Sequence, residues 1–430
     1  MTDKLPPSVP VLVIGAGVHG LSTAWHLAQA GERVLVLDKT AVAAGASGIA
    51  CGVIRNNYFQ PAMSELMAAC VEIWESDAET LHYHPNGYIA LGPRSQESDL
   101  TQVYERQQRI GYPSELYLGE EAVTNHMRSL YSDWRATGIT VCLHEQAGGY
   151  AFNRESMLGL ADKARRAGAE ILTGVEVTGF VSDGENAVTA VQTSAGTIEV
   201  EQVVVAVGPW IASIWERLGL PNRLDVRSPD GTAVLDQPMW SYWYLQEGEV
   251  VVDPSTFVTS DGSPSAVIHI DSDQALHDDN GRLITDEPWG VYFKPDRSSV
   301  QGGAAPLRVG HEFAVDPYPT GTVDPGFPDM WCAALSHTLA RFACGRQLYR
   351  QVRSGGVGAF TVDNFPIFDY MRPNVYVVAD SNHGYKMIAV GREVARVLRG
   401  EHSSLLHPFR YARFQTGELH PVSHSPYPWS

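Results

Sequence analysis

The stretch that decides the fold, residues 9–39, reads VPVLVIGAGVHGLSTAWHLAQAGERVLVLDK. Its first six residues are apolar and mostly β-branched, which indicates a strand buried on both faces. After the glycines, residues 21–30 indicate a helix, and the apolar run 33–37 indicates a second buried strand that ends at Asp38. This order of strand, glycine turn, helix and strand predicts a βαβ unit.

The glycines and the terminal acid of this unit point to a dinucleotide. Gly15 permits the tight turn, Gly17 lets the backbone approach a pyrophosphate, and Gly20 lets the helix pack close to the strand. The helix N-terminus supplies partial positive charge for the phosphates. Asp38 is placed to accept hydrogen bonds from a ribose hydroxyl. A glycine-rich turn alone would fit many loops, but both strands, the helix and the acid together favour a dinucleotide site.

Composition bounds the class of protein. With 44% hydrophobic and 19% charged residues, the 430-residue chain is typical of a globular protein. No apolar run approaches the roughly 18 residues of a membrane span, and the N-terminus lacks the pattern of a signal peptide, so we expect a cytoplasmic protein. The net charge of -18 disfavours nucleic acid as a partner. Five scattered cysteines favour neither a disulfide framework nor a zinc site, and we expect no metal.

The pattern of elements predicts two interleaved domains. Short alternating strands dominate residues 224–340 and indicate a mainly antiparallel sheet, whereas the buried strand 203–207 belongs with the βαβ unit. The predicted fold class is α/β. The nucleotide-binding domain is expected to comprise residues 1–82, 140–223 and 341–415, the substrate domain residues 83–139 and 224–340, and a C-terminal tail residues 416–430.

Two cations stand out beside glycine-rich segments. Arg55 follows the segment 43–52, whose small residues suit close approach to a flat or phosphorylated ligand. The alternative interpretation of Arg55 is a surface arginine whose stem packs on apolar neighbours. Lys386 follows a polar turn and precedes a predicted helix over residues 387–398. A cation there opposes the helix dipole by about 0.3 to 1 kcal/mol, so a bound anion would explain it.

Five blocks of sequence together resemble the D-amino-acid oxidase superfamily of FAD-dependent oxidoreductases. They are GAGVHG with Asp38, GASGIACGVIRNNY (45–58), TGVEVTGF (173–180), VVVAVGPW (203–210), and TVDNFPIFD through SNHGYK (361–386) with HPFRYARF (407–414). Within the superfamily, the chain is most similar to the sarcosine oxidase and dimethylglycine dehydrogenase branch. The resemblance implies FAD rather than NAD, bound by a Rossmann-type domain interleaved with an α+β substrate domain.

The resemblance also implies cofactor contacts beyond the βαβ unit. Ser47 and Gly48 would lie on the phosphate side, Val177 at the adenine, and Gly208 and Gly384 near the flavin. All positions that match cofactor-binding positions of the family are Gly15, Gly17, His19, Gly20, Asp38, Lys39, Ser47, Gly48, Gly52, Val177, Gly208, Trp210, Gly358, Gly384, Tyr385 and Lys386.

The family's substrate residues match two positions here. By resemblance, Arg55 and Lys386 would bind a substrate carboxylate. Two cations that converge on one flavin require an anion. His383 would act as a base or shape the turn, and the second role is favoured.

Departures from the family pattern bear on the cofactor. Relatives that attach flavin covalently use a cysteine or a histidine in two blocks that here carry residues 354–358, without cysteine, and Ile49. We therefore expect non-covalent FAD. The lysine that activates oxygen in the branch aligns near Gln301, so the electron acceptor is either O2 or an electron-transfer partner.

The predicted function is FAD-dependent oxidation of the C–N bond of a small amino acid. A secondary or N-methylated amino acid, similar to sarcosine, is favoured, and its imine product would hydrolyse. The alternatives are a primary amino acid of the glycine or D-amino-acid type, and a flavin subunit that passes electrons to a partner protein. An NAD-linked dehydrogenase or a binding protein with a vestigial site is the remaining class. The sequence does not name the amine, because the resemblance is weakest over residues 224–340.

Overall fold

The structure is a computed structural model that describes residues 5–318, 324–350, 356–379 and 383–425. Residues 380–382 of the predicted turn and residues 354–355 of the predicted attachment block lie outside these ranges. The α-helices of the described chain, labelled α1 to α9, are Val18–Gln29, Pro61–Ser76, Glu97–Arg109, Glu120–Leu130, Asn153–Ala167, Ile211–Arg217, Phe327–Thr338, Ala389–Leu398 and Arg413–Thr416.

The strands of the described chain carry the labels β1 to β26. The first twelve are Ser8–Ile14, Val34–Asp38, Val53–Ile54, Tyr83–His84, Tyr88–Gly92, Ser114–Leu118, Val141–Glu145, Gly149–Ala151, Glu170–Thr173, Val177–Ser182, Val188–Thr193 and Gly196–Val205. The others are Arg223–Arg227, Ala233–Pro238, Ser241–Leu245, Glu247–Val250, Val267–Ser272, Leu276–His277, Leu283–Thr285, Trp289–Pro295, Val300–Ala304, Leu307–Gly310, Tyr349–Arg350, Gly356–Phe360, Ile367–Arg372 and Val375–Ala379.

The first sheet contains the predicted βαβ unit. Its order is β10-β11-β12-β1-β2-β9, with β26 paired to β12 and β25 paired to β26. Strands β12, β1, β2 and β9 run parallel, and so does β26 beside β12. In this register Ile14 lies opposite both Leu37 and Val205, so the carboxyl ends of three strands meet at one edge.

Burial explains why these residues form strands. Leu12 and Val13 are fully buried on opposite faces of β1, as the β-branched apolar run predicts. Burying each such side chain contributes about 1.5 to 3 kcal/mol. Helix α1 packs against α5 and α8, and these helices cover one face of the sheet. Trp215 of α6 belongs to the core on the other face.

The second sheet is mainly antiparallel, as predicted. Its order is β23-β16-β21-β20-β17-β5-β7-β6, and only the pair of β17 with β5 is parallel among these strands. Its core is rich in aromatic rings, for example Phe257, Phe293 and Phe342, whose centroids lie 5.3 to 5.8 Å apart. The predicted fold class is confirmed: a Rossmann-type sheet is interleaved with an α+β unit built on an antiparallel sheet.

The division into domains stays a proposal, and the hydrogen bonds of two strands bear on it. Strand β7 falls within the range 140–223 that the sequence assigned to the nucleotide domain, but it pairs with β5 and β6 of the second sheet. Strand β23, within the range 341–415, pairs with β16 of the same sheet. We propose that both strands belong with the substrate domain.

The helix predicted from residue 387 begins at Ala389 instead. Met387, at φ -86° and ψ 46°, departs from helical geometry, and Gly384–Lys386 forms a separate 3-10 turn. Lys386 therefore does not stand in the first turn of α8, and the dipole argument for it was wrong. In the described ranges no helix combines the length and apolarity that a bilayer crossing requires.

Candidate functional site

A cleft opens at the carboxyl edge of the first sheet. The turns after β1 and β12, the end of β2 and the start of β10 border it, and residues 43–50 form a further wall. This is the edge at which open α/β sheets bind their ligands. The predicted cofactor residues that line the cleft are Gly15, Gly17, His19, Asp38, Lys39, Ser47, Val177, Gly208, Trp210, Gly384 and Tyr385.

The turn after β1 requires glycines because a side chain would clash with neighbouring backbone atoms. Gly15 has φ 110°, and a Cβ there would lie 2.2 Å from the carbonyl oxygen of Ala206. A Cβ at Gly20 would lie 1.9 Å from the carbonyl oxygen of Gly15. Gly17 is the N-cap of α1, and its Cβ would stand 3.0 Å from Ser47 Oγ. The turn thus leaves an open backbone surface at the helix N-terminus.

Side chains complete this surface with oriented oxygen atoms. Asp38 Oδ2 accepts a hydrogen bond from the Ala16 N–H at 2.9 Å, and Oδ1 accepts one from the Thr40 N–H at 2.9 Å. Ser47 Oγ accepts from the Val18 N–H at 3.2 Å. The Asp38 carboxylate is therefore held at the end of β2, where a ribose would lie. The first turn of α1 has no acidic residue of its own.

A cluster of three side chains forms the outer rim. Lys39 Nζ lies 2.6 Å from Asp316 Oδ2 and 4.3 Å from the centre of the Trp210 ring. Trp210 Nε1 donates to Asp316 Oδ1 at 2.9 Å. Lys39 is thus paired with an acid of the second half of the chain, and the cluster closes the rim between distant segments.

The cleft fits an FAD molecule on these observations. Its glycine turn and helix N-terminus suit a pyrophosphate, and Asp38 suits a ribose. From the turn the cleft continues along Ile49 and Leu245 to Gly356, so its lining extends beyond the pyrophosphate and ribose positions.

A second cavity adjoins the far end of the cleft. The two share Ala50, Leu245, Glu247 and Tyr385 as a common wall, which we call the shared wall. The cavity brings together Arg55 and Lys386, which are far apart in sequence. Its lining residues are Ala50, Cys51, Gly52, Val53, Arg55, Tyr88, Leu245, Glu247, His269, Tyr292, Ala304, Pro306, Tyr385 and Lys386.

Arg55 is buried rather than on the surface, which excludes the surface interpretation. Only 6% of it is exposed. Its guanidinium lies 4.5 Å from the centre of the Tyr58 ring and 5.4 Å from that of Tyr88, and it donates to the carbonyl oxygen of Asn57. Burial alone would lower the pKa of Arg55, but the nearby Tyr88, Tyr58 and Glu145 raise it by more. The net pKa is therefore raised, and Arg55 stays a cation. These contacts fix the guanidinium at the cavity wall.

Lys386 is held by its backbone. Its carbonyl oxygen accepts from Trp74 Nε1 at 2.9 Å, and its Nζ lies 6.0 Å from the centre of the Tyr58 ring. The neighbouring Tyr385 stacks on Trp74 at 5.5 Å and its hydroxyl lies 2.5 Å from Ser156 Oγ. The 3-10 turn is thereby anchored to α2 and α5.

Two other predicted residues, His383 and Gly358, are not among the described lining residues of the cleft or the cavity. His383 is buried between Phe365, on which it stacks at 5.5 Å, and Tyr58, at 5.4 Å. That setting fits the favoured role of shaping the turn. Gly358 pairs with Trp243 between β24 and β15 and is not among the described lining residues of the cleft.

Gly48 and Gly52 are required by close backbone contacts. A Cβ at Gly48 would lie 1.9 Å from the carbonyl oxygen of Ala43, and one at Gly52, where φ is 82°, would lie 2.1 Å from that of Ala151. Gly52 lines the cavity with Arg55, whereas Gly48 lines a separate small cavity.

That small cavity contains a lysine that the sequence did not predict. Lys294 is 1% exposed, its Nζ lies 3.4 Å from Asp296 Oδ1, and it stands 4.8 Å from the centre of the Tyr150 ring. It pairs across β20 and β21 with Gln301, the position at which the alignment expected a lysine. A lysine in a strand of alternating pattern gives no sequence signal of burial.

Two buried carboxylates were also missed. Burial raises the pKa of Glu145 to about 7, although the Asn56 N–H and the Gln107 side chain donate to it at 2.8 and 2.6 Å. Burial likewise raises the pKa of Glu247 to about 7. Single acids in short strands resemble solvent-facing residues, so only the packing of distant segments identifies them.

A chain of polar groups on the cavity wall was missed for the same reason. The Tyr88 hydroxyl lies 2.6 Å from His269 Nδ1, and His269 Nε2 lies 3.0 Å from Asp271 Oδ1. Gln96 Nε2 donates to the other oxygen of Asp271 at 2.9 Å. This chain runs within the second sheet, from Tyr88 of β5 beside Arg55 to Asp271 of β17.

Two sarcosine oxidases are similar to this chain in sequence. Human peroxisomal sarcosine oxidase is 26% identical over 226 residues, which cover 50% of this chain and 54% of that protein. Sarcosine oxidase subunit beta of Arthrobacter sp is 28% identical over 207 residues, which cover 46% of this chain and 51% of that protein. The chain thus spans about half the length of the relatives that it matches by sequence.

Solved structures of similar fold cover nearly the whole chain. L-proline dehydrogenase from P. horikoshii has a TM-score of 0.76 at 21% identity and covers 96% of this chain and 100% of its own. Glycine oxidase from Geobacillus kaustophilus has a TM-score of 0.70 at 20% identity, with 95% and 99% covered. At such identities the similarity shows the fold.

The family match covers more of the chain than either sarcosine oxidase relative does. The DAO family, described as FAD dependent oxidoreductase, matches residues 10–397. This match confirms the resemblance drawn from the sequence motifs and, with it, FAD as the cofactor of the family. The chain therefore belongs to the DAO family of FAD-dependent oxidoreductases.

Proposed function

We propose that this protein oxidises the C–N bond of a small amino acid, with a secondary or N-methylated nitrogen preferred over a primary one. The observation that carries the proposal is the cavity that contains both Arg55 and Lys386 and meets the cofactor cleft at the shared wall. The names of the relatives that act on sarcosine support the N-methylated choice.

The charge of the cavity favours an anionic ligand group. Arg55 is 6% exposed and faces two aromatic rings, so water stabilises its charge poorly. Lys386 lines the same cavity. A carboxylate that accepts charge-assisted hydrogen bonds from both would offset this cost.

The size of the cavity favours a small molecule. The rings of Tyr88, Tyr292 and Tyr385 surround it, and Pro306 lies on its lining. Rings held in place by packing and hydrogen bonds favour a substrate with a short side chain.

The protein and the cofactor divide the chemistry. FAD, when bound, accepts two electrons and a hydrogen from a C–H bond next to nitrogen. Arg55 and Lys386 hold the carboxylate and so orient that carbon toward the cleft. Tyr58, Tyr88 and Trp74 keep the two cations in place.

We also propose that the FAD is not covalently attached. Ile49 stands where relatives with an attached flavin carry a histidine, and it lines the cleft with an aliphatic side chain. Acid precipitation of the purified protein should leave the yellow colour in the supernatant. Colour that stays with the pellet would show a covalent bond.

The function is tested by matched pairs of compounds. Under nitrogen, the flavin absorbance of the purified protein is followed with sarcosine, dimethylglycine, proline, glycine and D-alanine. Each is compared with the amine that lacks its carboxylate: dimethylamine, trimethylamine, pyrrolidine, methylamine and ethylamine. We expect at least one amino acid to bleach the flavin and its amine partner to leave it oxidised at the same concentration.

Each other outcome has a definite meaning. Equal bleaching by an amine and its amino acid would contradict the carboxylate role of Arg55 and Lys386. Faster bleaching by glycine or D-alanine than by any secondary amino acid would establish the primary amino acid alternative. If air fails to restore the colour after bleaching, the electrons pass to a partner protein rather than to O2.

A further inference from the structure

Glu247 occupies the shared wall, between the cofactor cleft and the cavity. It begins β16 and is 3% exposed. Its Oε1 accepts a hydrogen bond from the Cys51 N–H at 3.0 Å and another from the Tyr292 hydroxyl at 3.2 Å. Donors from two separate segments therefore fix the carboxyl group in one orientation.

The other oxygen of this carboxyl group is a free acceptor within the described structure. Glu247 Oε2 is buried and receives no hydrogen bond from the residues in the described ranges. An unsatisfied buried polar atom costs about 1 to 3 kcal/mol, and more when it is charged. A ligand that brings a donor or a positive charge to this oxygen would remove the cost.

The cavity is also divided by charge. Arg55 and Lys386 are cations, and Glu247 is the one carboxylate among the described residues that line the cavity. An amino acid at neutral pH carries a carboxylate and an ammonium group on neighbouring atoms. The charges of the cavity match both groups of such a zwitterion.

We propose that Glu247 binds the amino nitrogen of the substrate, with Oε2 accepting from its N–H, while Arg55 and Lys386 hold the carboxylate. This inference rests on the proposed function, because it assumes that an amino acid enters the cavity. A secondary ammonium group has two N–H donors, and one of them suffices for Oε2. Glu247 would then select cationic nitrogen and reject carboxylic acids that lack it.

The surroundings of Glu247 determine when it is charged. Burial raises its pKa to about 7, while the Tyr292 hydroxyl, the Cys51 N–H and the charge of Lys294 act in the opposite direction. Above that pH the carboxyl group is ionised and attracts a cation fully. Within the described ranges, the titratable or charged groups near it or across the cavity are Cys51, Tyr292, Lys294, Tyr318, Tyr385, Tyr88, His269, Arg55 and Lys386.

Two inert probes of nearly identical shape test the inference. Dimethylsulfonioacetate carries a positive sulfur where the substrate nitrogen would lie, and 3-methylbutanoate carries a neutral carbon there. Neither has a C–N bond to oxidise. Their dissociation constants are measured with the FAD-loaded protein at pH 9 from the change in flavin absorbance. The sulfonium has no N–H, so the two probes test the attraction of the Glu247 carboxylate for a positive charge, and we expect the cationic probe to bind at least about 10-fold more tightly to the wild type.

Variants assign that preference to one carboxyl group. Glu247→Gln should bring the ratio of the two dissociation constants to about 1, with little change for 3-methylbutanoate. Glu249→Gln is the matched control, because Glu249 lies on the same strand but is not among the described lining residues and accepts instead from Ser299 Oγ at 2.9 Å. It should keep the wild-type ratio.

The outcomes separate this inference from the proposed function. Equal binding of the two probes by the wild type, together with bleaching by an amino acid, would overturn the role of Glu247 and leave the proposed function intact. The same holds if Glu247→Gln keeps the wild-type preference. If neither probe binds and no amino acid bleaches the flavin, the proposed function fails and this inference fails with it. Equal binding of the two probes by the wild type overturns the inference even if a variant does not fold.

Discussion

The cofactor cleft and the cavity that contains Arg55 and Lys386 share a wall but differ in the chemical groups that line them. The cleft presents backbone N–H groups at glycines whose missing side chains leave room for a ligand. The cavity presents buried charges and aromatic rings. The cleft should therefore be damaged by adding atoms, and the cavity by removing them.

The largest effect is expected from a substitution in the cleft. Gly17→Val should abolish FAD binding, because the side chain would fill the pyrophosphate surface and press on Ser47 Oγ, which a Cβ alone would approach to 3.0 Å. Flavin content of the purified variant is the measurement. Gly184→Val, at a turn where a Cβ meets nothing within 4 Å, should keep normal flavin content. Normal flavin content in Gly17→Val would show that the turn after β1 does not bind the pyrophosphate of FAD.

A substitution in the cavity should weaken substrate and spare the cofactor. Arg55→Met removes one cation from a desolvated pair, which costs about 2 to 5 kcal/mol, or on the order of 30-fold or more in the substrate dissociation constant. Anaerobic flavin titration with the best amino acid measures it. Arg128→Met, at an exposed position of α4, should change the free energy of substrate binding by less than about 1 kcal/mol. Unchanged affinity in Arg55→Met would contradict the carboxylate role.

The buried acid behind Arg55 should make stability depend on pH. The folded state raises the pKa of Glu145 from 4.5 to about 7 and so binds its proton more tightly than the unfolded state does. Stability is then full below pH 4.5 and falls as the pH rises through 7, by on the order of 3 kcal/mol. Urea midpoints of the wild type and of Glu145→Gln are followed against pH, and their difference measures this loss, because Glu247 titrates near the same pH in both proteins. Equal slopes with pH in both proteins would show that Glu145 is not the cause.

The smallest effect should come from a single hydrogen bond of the cleft. Ser47→Ala removes the acceptor of the Val18 N–H, at 3.2 Å, and should raise the FAD dissociation constant by about 3- to 10-fold. Equilibrium titration of the apoprotein with FAD checks this. Ser129→Ala, exposed on α4, should leave the constant unchanged. A loss as large as that of Gly17→Val would mean that side chains, not the backbone, dominate the cleft.

The cleft was predictable because its signals are local. The residues from Gly15 to Asp38 lie in one βαβ unit, and each is constrained by its immediate neighbours in sequence or by the adjacent strand. The antiparallel second sheet was predictable in kind, since alternation reports one buried face. Its pairing was not, because β7 joins β5 and β6 through hydrogen bonds that no local pattern encodes.

The cavity was predictable only where a family motif supplied the residues. Arg55 and Lys386 were found through their blocks, and the structure brings them together. Glu247 and Glu145 were not found, because their burial depends on segments remote in sequence, such as Cys51 and Tyr292 against Glu247. A local sequence pattern predicts which face of a strand or helix is buried. It does not predict which distant residues pack against that face.

The position of β12 in the first sheet also has a consequence for synthesis on the ribosome. β12 pairs with β1 on one side, and on the other side with β11 over residues 196–199 and with β26 over residues 203–205. Val375 follows Val205 by 170 positions (375 − 205), so the edge at residues 203–205 is the last part of β12 to be paired. At about 5 to 20 residues per second, β12 exposes an unpaired edge for on the order of 10 to 30 s before its last neighbour emerges. An exposed apolar edge of this kind promotes aggregation. Chaperone supply during that interval should therefore raise the yield of intact protein.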